Sequence, residues 1–189
     1  DAGSDAVLRV LTLNNMACVH RQLGDIDTSL ELLHSALRAA QAQSDCAVAT
    51  THLNFCALFH ALAQHDRALG HAQSAVFHAQ EELAAAGSGQ SRTGGASDGT
   101  ERGVTLAIAY HNMAVELERT GRLPSSIRWY HKAVRALRPF QSACPGLFES
   151  FARASLLVEQ KAALEPDAPQ VQEPHPVQQR HERISPAGN

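Results

Sequence analysis

Three times along the chain an Asn is followed by small residues at fixed steps: one two positions on, one seven beyond that, one twelve beyond that. The sets are Asn15, Ala17, Gly24, Ala36; then Asn54, Cys56, Ala63, Ala75; then Asn112, Ala114, Gly121, Ala133. The steps inside each set are identical, while the intervals between sets differ. A catalytic constellation needs a single copy of its residues. A constant unit joined by connectors of variable length points instead to a structure assembled by stacking copies of one motif.

The hydrophobic pattern identifies the motif. Val7, Leu8, Leu11, Leu13, Met16, Ala17 and Val19 recur at three- and four-residue steps, the period of an amphipathic helix over 5–22. Gly24 ends it, Asp25 or Asp27 can cap the next, and Thr28 with Glu31 forms a capping-box pair ahead of Leu30, Leu33, Ala36 and Leu37. After a Ser44–Asp45 cap, further helices are expected over about 46–64, 67–86, 101–120 and 124–138, with Pro124 at the first position of the sixth. Residues 146–164 read as a seventh. The Gly/Ser-rich stretch 87–100 is expected to be a mobile loop, and the Pro/Gln-rich tail 165–189 to be disordered. Together these give a helical repeat domain over 1–164, with helix pairs at about 5–43, 46–86 and 101–139 and a capping helix at about 146–164.

Large and small residues alternate within each pair in a set order. The first helices hold Leu13, Met16-Ala17 and His20; His52, Phe55-Cys56 and Phe59; Tyr110, Met113-Ala114 and Leu117. The second helices hold Ser29, Leu33 and Ala36; Ala68, Ala72 and Ala75; Ser126, Tyr130 and Ala133. Small side chains let two antiparallel helices approach, and bulky ones fill the space beside them. This order resembles the tetratricopeptide repeat, a helix–turn–helix of about 34 residues. The resemblance spans roughly 5–140. The second copy departs from the pattern at Ala63, where the turn Gly is expected, and at Ala72, where a bulky residue is. The resemblance implies an all-α, right-handed superhelical stack of three helix pairs with a capping helix, in which Leu147, Phe148, Phe151 and Leu156 cover Ile127 and Val134.

In such stacks the first helices line a concave face that receives a peptide or a partner subunit. Asn15, Asn54 and Asn112 fall there, and an amide side chain both donates to and accepts from a peptide backbone. Leu13-Asn14-Asn15-Met16 resembles the Leu-Asn-Asn-Leu run of kinesin light chain repeats, whose groove asparagines hold cargo. The binding residues implied are Asn14, Asn15, Arg21, Asn54, His60, His111, Asn112, Glu118 and Arg119. Repeats that grip a terminal carboxylate use two Lys, an Arg and two Asn. Here the matching positions are Asn14, Cys18, Asn54, Ile108 and Asn112, without a cation, which excludes that mode. The expected role is a non-enzymatic adaptor. The rival is a self-associating scaffold stacking through the open N-terminal edge at Val7, Leu8 and Leu11.

Composition narrows the remaining classes. A net charge of -3 and a pI near 6.4 disfavour phosphate-held nucleic acid and anionic membrane surfaces. No apolar run approaches the ~20 residues of a bilayer span, and no signal peptide opens the chain. Its start without Met suggests a segment of something longer. Cys18, Cys46, Cys56 and Cys144 fit neither a zinc pair nor a disulfide frame and are expected as free thiols in a reducing compartment. The expected address is cytoplasmic, with a cytoskeletal or ciliary setting suggested by the kinesin resemblance. No cofactor and no metal are expected. His71 and His78 lie about 10 Å apart along one helix, and His60 and His65 straddle a turn. Asp25-Ile-Asp27-Thr-Ser29 lacks the Gly and the closing Glu of a calcium loop. Neither HExxH, a phosphate loop nor a nucleophile elbow occurs.

Overall fold

The computed structural model describes residues 2–42, 47–87 and 96–164. The expected Ser44–Asp45 cap, residues 88–95 of the expected loop and the tail 165–189 lie outside them. Seven helices follow in order: α1 (Ala2–Gln22), α2 (Ile26–Gln41), α3 (Val48–Ala61), α4 (His65–Gly87), α5 (Ala96–Arg119), α6 (Leu123–Leu137) and, after a 3-10 turn at Arg138–Phe140, α7 (Pro145–Leu164). No strand occurs among the described residues. Gly87 and residues 96–100, expected as loop, are helical: α5 begins five residues earlier than its apolar pattern.

The three turns within helix pairs are copies of one another. Gly24, Ala63 and Gly121 each take left-handed backbone, at φ 80, 54 and 76°. At each, that residue's N–H donates to the carbonyl three back (Arg21, His60, Glu118). The next N–H donates to the carbonyl five back (His20, Phe59, Leu117). This doubly bonded helix end satisfies orphan carbonyls and needs a left-handed residue, which favours Gly. Ala63 adopts the same conformation despite its Cβ. After the first turn, Asp25 caps α2, accepting from the Thr28 N–H at 3.2 Å; its carboxyl is held below the ordinary value by Thr28 and then by His20.

Within each pair the small residues are the buried ones. Ala17, Ala36, Cys56, Ala75, Ala114 and Ala133 are all at most 1% exposed, which allows backbone-level approach. The outer pairs are also tied by a hydroxyl: Ser29 Oγ donates to the Ala17 carbonyl at 2.9 Å, and Ser126 Oγ to the Ala114 carbonyl at 2.8 Å. The middle pair has Ala68 at that station. Its two helices meet instead through His52 Nδ1 and His71 Nδ1, 3.0 Å apart. His71 also stacks on Phe55 and Phe59, with centroids at 4.6 and 5.3 Å, filling the space left by Ala72. Phe55 and Phe59 are almost fully buried, worth about 1.5–3 kcal/mol each in transfer terms.

Successive helices pack in chain order, and in addition α1 touches α3 and α3 touches α5. No comparable contact joins α2 to α4 or α4 to α6. Closer approach on one side of a row means that the first helices form its inner side. The result is an all-α solenoid. Helix α7 closes the far end with Phe151 and Val158, which pack among Ala133, Leu137, Leu123 and Tyr130. Leu156, expected to take part, is 59% exposed, and Val158 takes the buried station instead. The 3-10 turn seats Phe140 directly over Gly103, where an added Cβ would come within 2.3 Å of the ring. Gly103 is therefore a notch for that ring rather than a weak point of α5.

Candidate functional site

The inner side is built by α1, α3 and α5, so the polar residues of these helices decide what it can hold. Asn15, Asn54 and Asn112 occupy equivalent stations, and their surroundings differ. Asn15 is exposed and Asn112 half-buried. Asn54 is drawn into the joint between α1 and α3: its Nδ2 donates to Asn14 Oδ1 at 3.0 Å, and its Oδ1 accepts from Cys18 Sγ at 3.5 Å. One N–H and one lone pair of that amide remain for a ligand. Arg119, on the last turn of α5, is exposed.

Other expected groove residues serve the fold. Asn14 is 2% exposed. Its Nδ2 donates to Thr51 Oγ1 at 3.0 Å while its Oδ1 receives Asn54, and its burial keeps it from a peptide. The same station on α5 is His111. That ring lies in the joint with α7, stacked on Phe151 at 4.1 Å and edge-on to Tyr130 at 5.3 Å. Burial pulls its pKa down to about 4. Both depart from the sequence expectation for one reason: the residue before each groove Asn is rotated about 100° around the helix, toward the next helix of the row.

Six positions beyond each Asn stand Arg21, His60 and Glu118. His60 reaches α5, with Nδ1 2.6 Å from Glu116 Oε1. Glu118 accepts from Tyr130 Oη at 3.1 Å and pairs with Lys161 of α7 at 3.3 Å. Burial, followed by the charge of Glu118, raises the Tyr130 hydroxyl pKa. Arg21 is half-buried at the same station of α1. His60 thereby ties the second pair to the third, while Glu118 ties α5 to its own partner α6 and to α7. Of the other expected residues, Asn15 and Arg119 are exposed and Arg21 and Asn112 half-buried; Asn112 hydrogen-bonds the His111 side chain.

Two residues complete the His60 cluster: His65, whose turn-straddling pair with His60 is expected from the sequence to hold no metal, and Glu116, which the sequence does not single out. His65 Nδ1 lies 2.9 Å from Glu116 Oε2, and Glu116 is 1% exposed. Among the described residues, His60, His65 and Glu116 are the group whose donor atoms converge closely enough for a metal ion. No sequence signal announces Glu116, whose partners lie on other helices. Of the cysteines, Cys18, Cys56 and Cys144 are free thiols, while Cys46 lies outside the described residues. Burial, assisted by the charge of Glu116, pushes Cys56 up to about 12, so it is an inert packing thiol. A cleft of about 510 Å³ between α6 and α7 is lined by His131, Val134, Arg135, Arg138, Ala152, Ser155 and Leu156; none of these belongs to the first helices. No helix among the described residues is long and apolar enough to cross a membrane.

Residues 10–42, from the middle of α1 to just past the end of α2, match the family model of the tetratricopeptide repeat. A comparison with curated proteins finds no match.

Proposed function

Because the chain carries a tetratricopeptide repeat, a module that generally mediates protein–protein interaction, we propose that it is a non-enzymatic adaptor. Its ligand is a peptide segment or subunit surface laid along the inner side of α1, α3 and α5. The observation that carries this is the row of side-chain amides at equivalent stations of three adjacent first helices. Asn15 is exposed, and Asn54 keeps half its bonding capacity. Donor–acceptor groups at equivalent stations suit a peptide main chain, which offers both. Arg119 at one end adds a cation that favours an acidic residue in the ligand.

A selection from a peptide library tests it. Peptides chosen on the wild-type chain should bind an Asn15→Ala, Asn112→Ala double variant about 10-fold or more weakly, since each lost hydrogen bond is worth about 0.5–1.5 kcal/mol. Equal binding to both would remove the groove reading. A second reading, self-association, draws on the exposed face of α1, the same face that carries Asn15. There Leu8, Leu11, Met16 and Val19 are 63, 42, 44 and 51% exposed, a contiguous apolar stripe. It requires a molecular mass in light scattering that rises with concentration and falls back in a Leu8→Asp variant.

A further inference from the structure

We propose that His60, His65 and Glu116 form a binding site for a d-block dication of the zinc class, which would clamp the second turn of the array to α5. The starting point is the burial of Glu116. Its side chain is 2% exposed, and a carboxylate removed from water is costly unless paired. Among the described residues no Lys or Arg ion-pairs with it; both oxygens meet imidazole nitrogens, at 2.6 and 2.9 Å.

The three groups come from three helices. His60 lies in the last turn of α3, His65 opens α4, and Glu116 projects from the last turn of α5. Two imidazoles and one carboxylate are the ligand set of a borderline dication. Calcium and magnesium prefer all-oxygen shells, and a thiophilic ion requires sulfur. The donor atoms all lie within 4.8 Å of one another. A tetrahedral ion with arms of about 2.0–2.1 Å places its ligands ~3.3 Å apart. The two hydrogen-bonded N–O pairs, at 2.6 and 2.9 Å, would open by roughly half an ångström, and the remaining donor separations, which lie within 4.8 Å, would close toward the same value. The two imidazoles can make that adjustment, since their side chains are 38 and 27% exposed. The same opening admits water to the remaining coordination position, whereas the buried carboxylate is held by its helix.

Occupation would replace two hydrogen bonds by coordinate bonds across the joint between the second and third hairpins, fixing their relative angle. The site is separate from the Asn groove, and its fate does not depend on the adaptor reading.

The test is titration of the full chain with Zn²⁺ against a chromogenic chelator, and with Co²⁺, whose visible d–d bands report tetrahedral coordination. The wild-type chain should take one ion, show those bands and gain thermal stability on loading. A His60→Ala, His65→Ala double variant, with helix content verified by circular dichroism, should lose affinity by about 100-fold or more, together with the bands and the stabilisation. The single variant His65→Asn gives a second route should the double variant misfold. His131→Ala, which removes a surface imidazole, should bind as the wild type does. A wild-type chain that takes up no ion, or binding that survives in the His60 and His65 variants, overturns the proposal.

Discussion

His111 makes the stability of the array depend on pH in a way that can be worked out beforehand. Its ring is enclosed by Phe151 and Tyr130, and burial depresses its pKa from the ordinary 6.5 to about 4. The unfolded chain therefore binds a proton that the folded chain refuses between those two values. The stabilisation is complete above about pH 6.5, is lost as pH falls through the window, and changes no further below about pH 4. At about 1.4 kcal/mol per pH unit the whole window corresponds to about 3 kcal/mol, of which about 2 is gone at pH 5. Partial access of solvent to the ring makes these figures upper values. The perturbation is His111→Phe, which keeps an aromatic ring against Phe151 and removes the titration. Urea unfolding followed by circular dichroism, from about pH 8 to pH 4.5, should show the wild type losing about 2 kcal/mol more than the variant by pH 5. Every other ionisable group is common to both proteins and cancels in the comparison. Parallel curves for the two proteins would show that His111 is not held neutral in the joint, and the account of the α5–α7 interface would fail with it.

Two further outcomes follow from the turns and the α1–α3 joint. Ala63→Gly should raise stability by about 0.5–1 kcal/mol, because φ 54° costs an L-residue with a Cβ about that much net of the greater freedom Gly has when unfolded; a lower thermal midpoint would contradict the strain. Asn14→Ala should cost about 1–3 kcal/mol in chemical denaturation, since it strands Asn54 Nδ2 and removes a bond accepted by Thr51 Oγ1, which keeps only its own bond to the Ala47 carbonyl. The neighbouring Asn15→Ala should stay within about 0.5 kcal/mol, and similar losses for the two would undo the distinction between joint and groove.

Much of the fold is legible in the order of large and small residues, because close helix approach admits few alternatives to Ala, Ser, Cys or Gly at Ala17, Ala36, Ala114 and Ala133. The turns are legible where Gly24 and Gly121 mark them. Ala63 hides the middle one from composition, though not from its spacing. The start of α5 is less legible, since Gly and Ser signal a loop locally while the helix continues through Ala96 to Thr100. The inner face is the least legible part. Asn14 and Asn15 are the same residue type, one step apart, and only the position of α3 decides which is buried. Polar residues that bond across a helix joint carry the same hydropathy as polar residues facing water. Periodicity therefore cannot separate His111 and Glu118, which serve α7, from exposed Arg119. Glu116 is the extreme case: a charge between Val115 and Leu117 gives no local hint that two distant imidazoles await it.

The different pins within the hairpins bear on the order in which the array comes apart. Ser29 and Ser126 hold the end units through hydroxyls that neither gain nor lose a proton under mild conditions. The central unit relies on two imidazoles in contact, His52 and His71, and desolvation keeps both as weak bases, at about 4, assisted at His52 by His71 and His78 and at His71 by Arg67 and His34. That contact requires one nitrogen to donate while the other accepts, an arrangement that a second proton abolishes. Acid failure is therefore expected at the centre of the row as well as at the His111 joint, leaving the first hairpin as the intact flank.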